Sequence, residues 1–180
     1  VLRSKGYDVS LIEIPFGVRP AERLEYVERK IADLKPGIVG ITCMSMQVLI
    51  VKDLVREIKK RHADLLVMVG GVHPTVDTDD ALSWGPDIVV RGEGERTILD
   101  IAAYSDGKIG LESIQGVSYR KNSVTVNNPD RALIKDLDEI PPLAYDFLDK
   151  DRFLKRSYII RGFWLRSVAI ITSRGCFGRC

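Results

Sequence analysis

Two thiols four positions apart, Cys176 and Cys180, close the run Val168-Ala-Ile-Ile-Thr-Ser-Arg-Gly-Cys-Phe-Gly-Arg-Cys180. An apolar, β-branched stretch leads there into a glycine-flanked loop, a setting in which cysteines ligate iron–sulfur clusters. A four-iron cluster that keeps one iron open needs at least three thiolates, and the 180-residue chain stops at the second. The expectation is a metal motif cut short, with Cys176 and Cys180 as its first two ligands, in a chain that acts by binding and lacks a complete active site. The third cysteine, Cys43, sits in an apolar run and, with Met44 beside it, has core filler as its ordinary reading.

Three further loops carry residue types suited to a ligand. They are Thr42-Cys43-Met44-Ser45, Gly70-Gly71-Val72-His73-Pro74-Thr75 and Arg91-Gly92-Glu93-Gly94-Glu95. Glycine lets a bulky ligand approach the backbone, and a nearby hydroxyl or amide can hold its polar tail. The candidate contacts are Thr42, Met44 and Ser45 in the first loop, and Gly70, Gly71, His73 and Thr75 in the second. Gly92, Glu93, Gly94 and Glu95 are those of the third. Each has an ordinary structural reading as well. The glycine pairs are turn chemistry too, and Gly92-x-Gly94 lacks the third glycine of a dinucleotide fingerprint, Thr97 standing in its place. Glu93 and Glu95 suit the amino end of a helix as well as they suit a ligand. His73, beside Pro74 and Thr75, lines the loop or lies near a helix start, and is not assigned as a metal ligand. His62, at the charged end of a helix, is expected to be solvated.

The elements around these loops alternate. Val1 to Asp8 resembles a final helical turn closed by Gly6, and Val9 to Ile14 alternates like a strand. A helix is predicted over Ala21 to Leu34, a buried strand over Ile38 to Met44, a helix over Val48 to Arg61 and a strand over Leu65 to Val69. A helix around Asp79 to Trp84, a strand over Asp87 to Arg91 and a helix over Glu95 to Tyr104 continue the rhythm. This is an α/β fold, a doubly wound parallel sheet whose ligands lie beyond the carboxyl ends of its strands. Ile114 to Asn127 reads as a β-hairpin appendage and Asn128 to Asp151 as an extended connector. The expected organisation is an α/β domain over 1–105, hairpin and connector over 106–140, a linker over 141–167 and a separate strand-led segment over 168–180.

Composition fits a folded domain with an appendage: 45% hydrophobic and 29% charged residues, with 27 basic and 25 acidic side chains for a net charge of +2. The charges are interspersed, so neither nucleic acid nor an anionic membrane is a predicted partner. No apolar stretch is long enough to span a bilayer, and three cysteines make a poor disulfide framework. A reducing cytoplasm is the expected location.

The ordered set Lys5-Gly6-Tyr7-Asp8-Val9, Gly40 to Met44, Val69 to Thr75, Val89 to Glu95, Gly116 to Arg120, Asp136 to Pro141 and Thr172 to Cys176 resembles the amino-terminal half of the cobalamin-binding radical S-adenosylmethionine enzymes. The resemblance implies a flavodoxin-like (Rossmann-like) cobalamin domain followed by the first strand of a partial barrel at Val168. It implies cobalamin as the bound cofactor, with a 4Fe-4S cluster and S-adenosylmethionine belonging to the full-length enzyme only, a methyltransferase or related oxidoreductase. By the same resemblance Thr42 and Met44 lie beside the buried nucleotide tail, Gly70 and Gly71 make room for it, and Gly92 and Gly94 form the third contact loop. No Asp-x-His-x-x-Gly loop is present, so no cobalt ligand is assigned. Two other readings remain open: a cofactor-free docking or dimerisation module, and a flavin or nucleotide binder. In a flavodoxin-like order the first strand is central, so a chain that opens in the following helix leaves a gap. Val168 to Thr172, or a neighbouring molecule in a homo-oligomer, is expected to pair there.

Overall fold

A computed structural model describes residues 1–14, 18–148, 156–160, 163–166 and 173–175. The chain forms two compact units, Val1–Pro141 and Pro142–Cys180. In the first, α1 (Pro20–Leu34), β1 (Ile38–Thr42), α2 (Val48–Arg61), β2 (Leu66–Gly70), α3 (Val72–Val76), α4 (Thr78–Ser83), β3 (Ile88–Val90) and α5 (Thr97–Ser105) follow the predicted alternation. The hairpin β4 (Val117–Lys121) and β5 (Val124–Asn127) completes it.

Five strands make one sheet in the order β1-β2-β3-β4-β5. The first three are parallel, with Ile41 opposite Val69 and Val69 opposite Val89. The hairpin turns at Asn122 and Ser123, both with positive φ (51° and 65°), the two-residue turn whose twist matches its strands. It is annealed to the sheet, β4 pairing antiparallel with β3 through Val89–Ser118 and Val90–Val117.

Strand residues alternate between two cores, which is why the strands read as continuous apolar runs. Val67, Val69 and Val89 face Val27 and Ile31 of α1, Val51, Leu54, Val55 and Ile58 of α2, and Leu82 and Trp84. Ile88 and Val90 face the other way, onto Ile101 of α5 and onto Ile114, Val117 and Tyr119. Helices therefore cover both faces, as the doubly wound fold requires.

Some expectations are corrected. Val9 to Ile14 enters no ladder among the described residues, since an alternating run becomes a strand only beside a hydrogen-bonding neighbour. The opening helical turn is a single 3-10 turn, Arg3–Lys5, closed by Gly6 at φ 85°. The loop after β2 coils into α3, which the prolyl residue at 74 obscures in the sequence. The expected linker over 141–167 holds a second, two-stranded antiparallel sheet, β6 (Arg156–Ile160) with β7 (Phe163–Arg166); their β-branched and aromatic residues carry the signal. Val168 to Thr172, and with them the expected gap-filling pairing, lie outside the described residues.

At the end of the sheet opposite the glycine loops, Lys59 ties α2 down. Its Nζ donates to the carbonyls of Ala63 (2.8 Å) and Leu65 (3.0 Å) and lies 2.8 Å from Asp87 Oδ2. The same carboxylate accepts from the Val67 amide at 2.7 Å. Asp87→Ala strands an amide on a buried residue and half of an ion pair, so urea denaturation should show a loss of about 2 kcal/mol; an unchanged midpoint would contradict this anchoring.

Candidate functional site at the carboxyl ends of the parallel strands

The three glycine-bearing loops follow β1, β2 and β3 and are bonded to one another. Cys43 donates its amide to Gly70 O (2.8 Å) and accepts from the His73 amide (3.2 Å). The Thr75 hydroxyl donates to Gly71 O (2.8 Å) and accepts from the Gly92 amide (3.0 Å). One chain of main-chain and hydroxyl bonds thus joins the first loop to the second and the second to the third.

The glycines divide into two kinds. Gly71 has φ 106°, and a β-carbon there would stand 2.8 Å from the Cys43 carbonyl oxygen and 2.9 Å from Thr42 Oγ1. It is required by the contact of the first two loops. A β-carbon at Gly70 would meet Val90 Cβ at 3.4 Å, ordinary contact, whereas Gly92 and Gly94 open onto free space. Bare backbone at the last two is therefore approachable from outside.

Side chains divide as well. Thr42 and Ser45 are exposed, and their hydroxyls meet no partner among the described residues. Met44 is 52% exposed and its neighbour Met46 85%, so Met44 is no core filler, while Cys43 is fully buried, its thiol pKa pushed up by burial and then by the charge of Asp80. Leu49, Val72 and Val76 are exposed as well. Residues 44–49 and 72–76, which follow β1 and β2 and include the starts of α2 and α3, thus carry five exposed apolar side chains.

His73 turns away from this surface. Its ring stacks on Trp84 with centroids 5.5 Å apart and an 8° interplanar angle, and its Nε2 lies 3.1 Å from Asp80 Oδ2. Partial burial works to raise the Asp80 pKa, but the His73 ring, Trp84 and Lys52 together hold it below the usual carboxylate value. The backbone of His73 belongs to the loop and its side chain to the packing between α3 and α4. The other histidine, His62, is half-buried against Glu28 Oε2 at 2.8 Å, not solvated, because α1 and α2 pack side by side there.

In the third loop the Glu93 carboxylate accepts from the Ile134 amide at 2.6 Å. Glu95 is half-buried in the turn before α5. Ile134 belongs to the connector and carried no functional expectation; it is buried while its apolar neighbours Leu133 and Leu137 are exposed, so nothing local to the sequence singles it out. Cys176 and Cys180 lie outside the described residues, and no group of three or more His, Cys, Asp or Glu that could hold a metal occurs among those described. A separate cleft of about 270 Å³, lined by Ile14, Val18, Arg23, Tyr26 and neighbouring charges on α1, is formed by none of the three loops.

The geometry defines a doubly wound module whose three glycine-bearing loops are gathered at the strand carboxyl termini. A family model for the B12 binding domain matches residues 1–102, and the chain belongs to that family. It is 32% identical over 177 residues to an uncharacterized methyltransferase, PH0819, of Pyrococcus horikoshii, covering 97% of this chain and 36% of that protein. It is 30% identical over 182 residues to the anaerobic magnesium-protoporphyrin IX monomethyl ester cyclase of Synechocystis, covering 99% of this chain and 35% of that protein. The chain spans about a third of the length of these curated relatives. Among solved structures, the radical S-adenosylmethionine methyltransferase TsrM of Kitasatospora setae, with cobalamin and a 4Fe-4S cluster bound, superposes with a TM-score of 0.63 at 19% identity, covering 86% of this chain and 28% of that one. The cobalamin-dependent S-adenosylmethionine radical enzyme OxsB, with aqua-cobalamin bound, gives 0.55 at 21% identity, over 61% of this chain and 16% of that one. At these identities the structural likeness is one of fold. The family expected from the sequence and its flavodoxin-like α/β fold are thus borne out.

Two expected outcomes test the local geometry. Gly71→Ala should destabilise the domain by about 3 kcal/mol in urea, combining a glycine-only backbone conformation with a backbone collision; a change under 1 kcal/mol would mean the loops are not in contact. Because the folded pKa of Asp80 lies below its ordinary value, its contribution is present above that value and lost as pH falls through the folded one. Stability of the wild type should therefore decline below about pH 4 more steeply than that of Asp80→Asn, as urea midpoints at stepped pH would show.

Proposed function

We propose that the chain binds cobalamin across the ends of β1, β2 and β3, as the cofactor-binding portion of a larger radical S-adenosylmethionine enzyme. The observation that carries the reading is the bonded continuity of the three loops, which puts open backbone, uncommitted hydroxyls and exposed apolar side chains on neighbouring turns. A corrin is a broad ring with apolar faces and a polar nucleotide tail, and each part finds a match. The hydroxyls of Thr42 and Ser45 are free to bond the tail, and Gly92 and Gly94 leave space for it. Met44, Met46, Leu49, Val72 and Val76 offer apolar contact to the ring.

When bound, cobalamin supplies methyl-transfer or redox chemistry that no side chain provides. The chain's own residues position the group and keep water from its apolar face. In the parent enzyme, methylation is the reaction class we favour, on the family and on the methyltransferase among the relatives. Cys176 and Cys180 would there be two thiolates of a 4Fe-4S cluster serving S-adenosylmethionine. The buried free thiol of Cys43 suits a reducing, cytoplasmic location, and no described helix is long and apolar enough to cross a membrane.

Gel filtration after mixing with hydroxocobalamin should bring corrin absorbance through with the protein near one equivalent, and flavin mononucleotide should not co-elute. A colourless protein peak would favour a cofactor-free docking module instead. Gly94→Val fills open space without a backbone clash, so it should weaken hydroxocobalamin at least roughly tenfold, about 1.4 kcal/mol, and leave the unfolding midpoint in place. Wild-type affinity in this variant would move the site away from the third loop.

A further inference from the structure

The connector after the hairpin is not a free linker. Between Asn128 and Glu139 it is laced to the third loop and to α5 with its N-cap by four side chains of that region. Arg91 Nη1 pairs with Asp130 Oδ1 at 2.9 Å, Arg96 pairs with Glu139, and Asp100 pairs with Arg131. Glu93 accepts the Ile134 amide at 2.6 Å. Main-chain bonds continue the seam: Gly116 N to Pro129 O at 2.8 Å, and Arg91 N to Gly116 O at 2.8 Å. Asn128, buried, donates to the carbonyls of Leu111 and Ile114, both at 2.8 Å. Ile134 is 8% exposed and plugs the seam from the strap side.

Of these contacts the Glu93 bond is the one made from between the two glycines, Gly92 and Gly94. The turn Gly92-Glu93-Gly94 is continuous with α5, Gly94 O accepting from the Ile98 amide at 2.8 Å, but its glycines leave it room to shift: Gly92 is at φ 71°, and neither glycine has anything near its missing β-carbon. On the side of the second loop it is held by Thr75 through the Gly92 amide, and on the strap side by Ile134 through the Glu93 carboxylate. A turn with two flanking glycines is conformationally loose unless tethered at both sides.

We infer that Glu93 is a positioning residue: by capping the Ile134 amide it fastens the 128–139 strap to the third loop and holds Gly92 and Gly94 in the geometry that receives the ligand. The inference rests on the cobalamin reading for its binding readout. It differs from a ligand-contact role for Glu93, because the strap amide would matter as much as the carboxylate.

Hydroxocobalamin titrations of the chain, followed by corrin absorbance, decide between these roles. Glu93→Ala and Ile134→Pro, which removes the amide while leaving Glu93 in place, should each raise Kd roughly tenfold, and the double variant no further, since both break one bond. Glu93→Gln keeps an acceptor oxygen and should restore most of the affinity. Trypsin should cleave after Lys135 several-fold faster in Glu93→Ala than in wild type or Glu93→Gln, a readout that needs neither cofactor nor a folded Ile134→Pro. Wild-type affinity in Ile134→Pro beside a weakened Glu93→Ala would overturn the inference in favour of direct contact. Unchanged cleavage after Lys135 in Glu93→Ala would overturn it independently. A wild type that binds no hydroxocobalamin would sink the cobalamin reading while leaving the trypsin result to judge the strap.

Discussion

The approach of the Gly70-Gly71 turn to the Cys43 carbonyl leaves no room for a β-carbon, and the joining of the three strand-end loops depends on that fit. With Gly71 at φ 106°, the His73 amide reaches Cys43 O and the Thr75 hydroxyl is carried to the Gly92 amide. A side chain at 71 would push the second loop off the first and take the third with it. Three separate strand ends become one surface because a single backbone position uses a conformation that only glycine adopts comfortably.

The two cores make that closeness possible. Parallel strands spaced by hydrogen bonds bring successive loops within about 5 Å of one another, provided both faces of the sheet are covered so that the strands stay in register. Residues of β2 and β3 alternate between the α1–α2–Trp84 side and the α5–hairpin side. Trp84 serves twice, filling the first core and stacking on His73. The hairpin likewise extends the sheet beyond β3 and carries the chain to the strap at Asn128.

Much of this was legible in the residues. The apolar runs at Ile38, Leu65 and Ile88 and the helical spacing of Val51, Leu54, Val55 and Ile58 announce the alternating architecture, since each pattern is local and buried on a regular period. The loops were legible too, glycine at a strand end being a local signal. What escaped depends on partners distant in sequence. Val9 to Ile14 alternates, yet alternation does not supply a neighbour. Gly71 and Gly94 look alike as letters, and only the position of the Cys43 carbonyl separates the packed one from the open one. The Glu93–Ile134 bond spans 41 positions, and no spacing rule reaches that far. The pairing of His73 with Asp80 and its stacking on Trp84 join residues brought together only by the fold.

The central claim is that the loops after β1, β2 and β3 act as one ligand-binding unit. Amide hydrogen exchange with and without hydroxocobalamin tests it most directly. The account predicts that the amides of His73 and Gly92, which link the loops, are already protected in the free chain and gain protection together with that of Ser45 when the cofactor is added. Rapid exchange at His73 and Gly92 in the free chain, or protection confined to one loop on adding cobalamin, would contradict it.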